Sequence, residues 1–108
     1  MLEYVTRVLA RLDIGWRVKL VEPGPGEVRV TVGDDRVSEV VYLALTVPLA
    51  DAVAAMASQV QDHAIEAYWG RALPACPGHQ HPLSPRVVGC GVRWVCPRDP
   101  AHHSEALL

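Results

Sequence analysis

Leu2, Val5, Leu9 and Leu12 recur three or four residues apart with Val8 beside them, while Glu3, Arg7 and Arg11 fall elsewhere around the turn. This spacing predicts an amphipathic first helix of about three turns that ends before Gly15. The period then changes to two. Trp16, Val18 and Leu20 alternate with Arg17 and Lys19, which predicts a half-buried strand. Glu22-Pro23-Gly24-Pro25-Gly26 reads as a loop of turn formers. Val28, Val30 and Val32 alternate with Arg29 and Thr31 and predict a second strand, closed by a tight turn at Gly33-Asp34-Asp35-Arg36. From Val37 to Val47 the chain is nearly all apolar beyond Glu39, which predicts a third strand lying centrally or covered on both faces.

Pro48 suits the first turn of a helix and Asp51 complements its N-terminal dipole. Val53, Met56, Val60, Ala64 and Ala67 then trace one face, with Gln59, Asp62 and Glu66 pointing largely elsewhere and Gly70 placed as a C-cap. The expected fold is therefore α+β: a helix, a three-stranded antiparallel meander and a long helix, with both helices on one face of the sheet. Beyond Pro74 the texture changes. Pro74, Pro77, Pro82 and Pro85 prevent regular helix, and Val87-Val88 and Val92-Arg93-Trp94-Val95 flank Gly89-Cys90-Gly91 as a small hairpin. The tail from His102 to Leu108 carries no strong pattern and is expected to fray or add a short turn.

Composition adds little to this and excludes some functions. The 108 residues are half apolar and one-fifth charged, with a net charge of −2. That is ordinary for a folded domain and argues against non-specific binding to nucleic acid or anionic lipid. Residues 1–70 hold six basic against ten acidic residues, and residues 71–108 hold Arg71, Arg86, Arg93 and Arg98 against Asp99 and Glu105. Met1-Leu2-Glu3-Tyr4 has no basic flank and no uninterrupted apolar stretch, so no signal peptide is expected, and the apolar run from Val40 to Ala50 is too short to span a membrane. Three cysteines do not suit a disulfide framework, and a cytoplasmic location is expected. One Lys against nine Arg, no Asn and no Phe suggest a high-GC genome.

The cysteines and histidines carry the candidate chemistry. Cys76-Pro77-Gly78-His79 places a thiolate and an imidazole on one sharp bend, and Cys96 follows about a hairpin's length later, again before a proline. Structural zinc commonly draws two ligands from each of two turns and prefers a sulfur and nitrogen tetrahedron. Cys76, His79 and Cys96 are the expected ligands of one structural Zn2+. The fourth is open: His102 gives Cys-x5-His and is preferred, His81 gives Cys-x-x-His-x-His, His103 is one residue beyond His102, and Cys90 trails them. Zinc is favoured over iron because the set mixes thiolate with imidazole. Metal-coupled folding is expected mainly within residues 74–103.

The segment CPGHQHPL, followed by WVCP, resembles a motif in small uncharacterised actinobacterial proteins, and the turn at Cys76–His79 is similar to a zinc-ribbon knuckle with His79 in place of the usual second Cys. The resemblance covers residues 74–98. It implies Cys76, His79 and Cys96 as ligands, gives His81 more weight, and implies no activity. The chain then divides into a body, residues 1–71, and a zinc-hairpin, zinc-ribbon-like appendage, residues 72–108, packed on it.

Other chemistry is thin. His63 lies mid-helix without a nucleophile or partner base and is expected to face solvent. Asp34-Asp35 belongs to a hairpin turn, and Gly24-Pro25-Gly26 lacks the Lys-Ser/Thr of a phosphate loop. Tyr68, Trp69 and Trp94 are expected to pack in the core against the hairpin. Cys90, between two glycines, is expected to be an exposed and unreactive thiol. No catalytic residue and no organic cofactor site is assigned. The first functional expectation is a small accessory protein acting by protein–protein interaction, for which a homodimer would serve. The second is a nucleic-acid-binding regulator using Arg71, Arg86, Arg93, Arg98 and Trp94, weakened by the net charge. The third is a zinc hydrolase, which would need an open metal position and an acid or base drawn from Asp99 and Glu105.

Overall fold

The computed structural model describes residues 2–108. Helix α1 spans Leu2–Leu12, strands β1, β2 and β3 span Arg17–Gly24, Glu27–Gly33 and Ser38–Ala44, and helix α2 spans Leu49–Ala67. Strands β4, β5 and β6 follow at Ser84–Val88, Gly91–Val95 and Ser104–Ala106. The six strands form two antiparallel three-stranded sheets, ordered β1-β2-β3 and β4-β5-β6. The mixed helix and sheet content and the order helix, meander, long helix agree with the sequence pattern.

The helix periods translate directly into burial. Val5, Val8, Leu9 and Leu12 of α1 and Val53, Met56, Val60 and Ala64 of α2 are buried. They meet Val30 and Val32 of β2 and Val41 and Leu43 of β3 in one cluster, which also takes in Leu83, Val92, Trp94 and Leu107 from the second sheet and its flanks. Helix α2 touches β3 as well as β4 and β5, so it lies between the two sheets. At its end Trp69 and Gly70 both take left-handed φ, and the Gly70 N–H reaches back to the Ile65 carbonyl. This is the termination expected of Gly70, with one more left-handed residue in front of it.

Four expectations for the strands need correction. First, β1 runs through the presumed loop to Gly24, leaving Pro25-Gly26 as the turn. An edge strand tolerates Pro23, and Pro25 followed by Gly26 at φ 77 suits a type II turn. Second, the register slips between Val18 and Leu20. The extra residue breaks the two-residue period, so Leu20 stands opposite Thr31, 53% exposed, and Val21 takes the half-buried place opposite Val30. Third, β3 is an edge strand and β2 is central. On the free edge of β3 one residue is paired by a side chain: Gln59 of α2 accepts the Tyr42 N–H at 2.9 Å and donates to the Tyr42 carbonyl at 3.0 Å. The apolar run past β3 is loop, where Leu45 and Val47 are exposed. Fourth, the tail forms β6 on β5, with Trp94 opposite Glu105. The Arg11 guanidinium pairs with both Glu105 oxygens, at 2.8 and 2.9 Å, and ties α1 to this strand.

The aromatic residues divide. Trp94 is buried, Tyr68 is half-buried with its hydroxyl donating to the Ile14 carbonyl, and Trp69, expected in the core, is 93% exposed. The turn at Asp34 is held by its carboxylate, which accepts the N–H groups of Arg36 and Val37 at 2.8 and 2.9 Å. Those two bonds hold the carboxyl below its ordinary pKa. His63 is partly exposed, 3.2 Å from the Glu39 carboxylate, and Cys90 is exposed. No helix among the described residues is long and apolar enough to cross a membrane.

Candidate metal centre

The loop between α2 and β4 folds back on itself before it meets the second sheet. Leu83 N–H donates to the Pro74 carbonyl, Cys76 N–H to the His81 carbonyl, and His79 N–H to the Cys76 carbonyl. Gly78 completes the bend at φ 78. These bonds put Cys76, His79 and His81 on one side of a tight loop. Gln61, the one buried polar residue among the described residues, anchors this loop to α2 by donating to the carbonyls of Leu73 and Leu83. The fourth donor comes from the end of β5, where Cys96 N–H bonds the His103 carbonyl.

Cys76, His79, His81 and Cys96 thus offer one donor atom each, all within 4.8 Å of one another, and lie close enough to hold a metal ion. His79 Nδ1 is 3.5 Å from Cys76 Sγ, 3.6 Å from Cys96 Sγ and 2.9 Å from His81 Nε2, and His81 Nε2 is 3.9 Å from Cys96 Sγ. Bonds of about 2.3 Å to sulfur and about 2.0–2.1 Å to nitrogen around a tetrahedral zinc imply sulfur–nitrogen edges of about 3.5 Å and a nitrogen–nitrogen edge of about 3.3 Å. The four measured separations scatter around those edges. Both thiols are buried and both imidazoles are half-buried.

The surroundings prepare these atoms to bind. His81 Nδ1 lies 3.2 Å from the Pro82 carbonyl, an acceptor that holds the ring proton on Nδ1 and leaves the Nε2 lone pair for the site. Burial, and after it the neighbouring His102, His81 and Arg98, lower the pKa of His79 and favour its neutral, ligating form. Burial alone would push the Cys96 thiol up, but N–H groups of Asp99 and Arg98 donate to its sulfur and bring it below its ordinary value. Cys76 is raised, first by burial and then by the Cys96 sulfur beside it. A bound cation would stabilise both thiolates against that repulsion.

The sequence-derived candidates fall into two groups. Cys76, His79, Cys96 and the alternative His81 come together. His102 stacks on His79 with ring centroids 4.3 Å apart and bonds the Pro77 carbonyl, His103 Nε2 lies 2.9 Å from Glu105, and Cys90 sits exposed at the β4–β5 turn. Two supports had no advance signal: Gln61, hidden in a helix among polar neighbours, and the backbone donors after Cys96. Searches against family models, curated proteins and solved structures found no match to this chain.

Proposed function

We propose that this protein is a small zinc-binding accessory protein whose metal is structural and which acts through protein–protein contact. The observation that carries the metal assignment is the cluster of Cys76, His79, His81 and Cys96, whose four donor atoms all lie within 4.8 Å of one another. Two sulfurs and two nitrogens suit zinc. Four protein donors fill a tetrahedron and leave no position for a substrate water, so the metal would clamp the loop 74–83 to the end of β5. Purified without added metal, the protein is expected to contain one zinc per chain. Wild type with no zinc, and with an unchanged Tm in chelator, would sink the assignment.

The contact role is supported by Trp69. An indole left in water forgoes about 2 kcal/mol of burial energy, and this one is also held at φ 55, where bulky residues are rarely found. It borders a cleft of about 340 Å³ lined by Asp34, Arg36, Val37, Ala67 and Tyr68. Trp is among the residue types enriched where a few side chains dominate a protein interface. The test is affinity capture from the native cell with wild type and Trp69→Ala compared at equal zinc content. A partner retained by wild type and lost by the variant supports the role, whereas identical captures remove its basis.

A further inference from the structure

The segment that follows Cys96 does more than supply a sulfur ligand. Its first backbone link is at Cys96 itself, whose N–H donates to the His103 carbonyl at 3.0 Å. Asp99 then closes a second turn: its carboxylate accepts the Ala101 N–H at 3.0 Å and its carbonyl accepts the His102 N–H at 2.9 Å. That turn carries the His102 ring across to the other knuckle. There the ring stacks on His79, its planes inclined by 28°, and its Nε2 bonds the Pro77 carbonyl inside the Cys76–His79 bend. A carbonyl can only accept, so the Nε2 proton is fixed in this bond and that nitrogen has no lone pair for a metal. Gly78 lies beneath the ring: a Cβ at this position would sit 3.6 Å from His102 Cε1.

Resting on the metal assignment above, we propose that His102 is a positioning residue which joins the two knuckles independently of the ion and slows its escape. Two of the four donors, Cys76 and His79, lie on the bend that His102 holds. The ring, itself exposed, stacks on the half-buried His79. The His102–Pro77 bond is thus a link between the Cys96 knuckle and the Cys76 knuckle that does not pass through the metal. Losing an outer partner that orients a ligand typically costs about 10- to 100-fold in metal affinity.

The test uses full-length wild type, His102→Ala, His102→Phe and His81→Ala. Wild type and His102→Ala are each expected to take one metal. Their cobalt-substituted forms should show the same visible bands, because both keep two sulfur and two nitrogen ligands. Zinc release to excess chelator should be about tenfold faster or more in His102→Ala. His102→Phe keeps a ring to stack but no nitrogen for Pro77, and is expected between the two. His81→Ala should change the cobalt spectrum. Unchanged release in His102→Ala would overturn the proposal, and so would a changed cobalt spectrum, which would make His102 a ligand. Wild type that takes no metal defeats the metal assignment itself, whereas a metal-loaded wild type matched by His102→Ala defeats only the positioning role.

Discussion

Residues 2–67 bury whole faces: Val5, Val8, Leu9 and Leu12 on α1, Val30, Val32, Val41 and Leu43 on the meander, and Val53, Met56, Ala57 and Val60 on α2. Residues 73–108 bury Leu73, Leu83, Val92, Trp94, Val95 and Leu107, and place two thiols in the same interior. The first region supplies most of the apolar side chains of the one cluster that both regions share. The second has short strands, many prolines and a long loop, and uses specific links instead: a four-donor cluster, the Gln61 amide, the His102 bridge and the Arg11–Glu105 pair. Each link substitutes for apolar area that a segment this small cannot supply.

On the proposed zinc assignment, the largest effect should come from removing the metal. Structural zinc binding is worth on the order of 10–16 kcal/mol in isolated finger peptides. Here the ceiling is lower, because Trp94 and Val92 remain packed on the body. Cys96→Ser is expected to lose the zinc and to cost several kcal/mol of stability in the second region. Amide hydrogen exchange locates the loss: β4, β5 and β6 should lose protection while Val30, Val41 and Val60 keep theirs. Equal loss at all of these amides would mean that the two regions unfold as one unit, and the contrast drawn above would fail.

The same contrast explains what the sequence revealed. Periodicity reports burial, so α1, α2 and the inward residues of β2 were legible from spacing alone. Where another interaction decided the outcome, spacing misled. The bulge at Val18–Leu20 reversed the facing of Leu20, and the apolar β3 lies at a sheet edge, where the Gln59 amide pairs the backbone of Tyr42. Strand β6 was invisible because Glu105 is fixed by Arg11, 94 residues earlier. In the site, Cys76, His79 and Cys96 stood out as turn cysteines and a knuckle histidine. Spacing left His81 and His102 open; the fold brings His81 into the four-donor cluster and turns a ring nitrogen of His102 to the Pro77 carbonyl. Backbone acceptors of this kind leave no trace in residue spacing.

The next effect in size falls on the joint between the regions. Gln61→Ala would strand the carbonyls of Leu73 and Leu83 without their donor in a buried place. Leaving a buried polar group unsatisfied costs about 1–3 kcal/mol. The expected loss is about 2 kcal/mol, read from chemical denaturation, with zinc still bound but exchanging faster because the loop 74–83 is no longer pinned to α2. A variant as stable as wild type would show that the loop is held by its metal and its own backbone bonds.

The smallest effect concerns Glu105. The Arg11 side chain, and less strongly His103, hold its carboxyl at about 2 against an ordinary 4.5. A carboxyl lowered on folding contributes stability above its unfolded pKa, and the contribution fades as pH falls from about 4.5 towards 2. Arg11 and Glu105 are 36% and 31% exposed, so solvent screens the pair and about 1 kcal/mol is the expected size. Acid also releases metal, because thiolates and imidazoles take up protons. The informative quantity is therefore the stability difference between wild type and Glu105→Gln, in which that shared loss cancels. It should hold its full value between about pH 5 and 7 and shrink below about pH 4.5. A difference independent of pH would mean that Glu105 secures β6 by packing and hydrogen bonding rather than by charge.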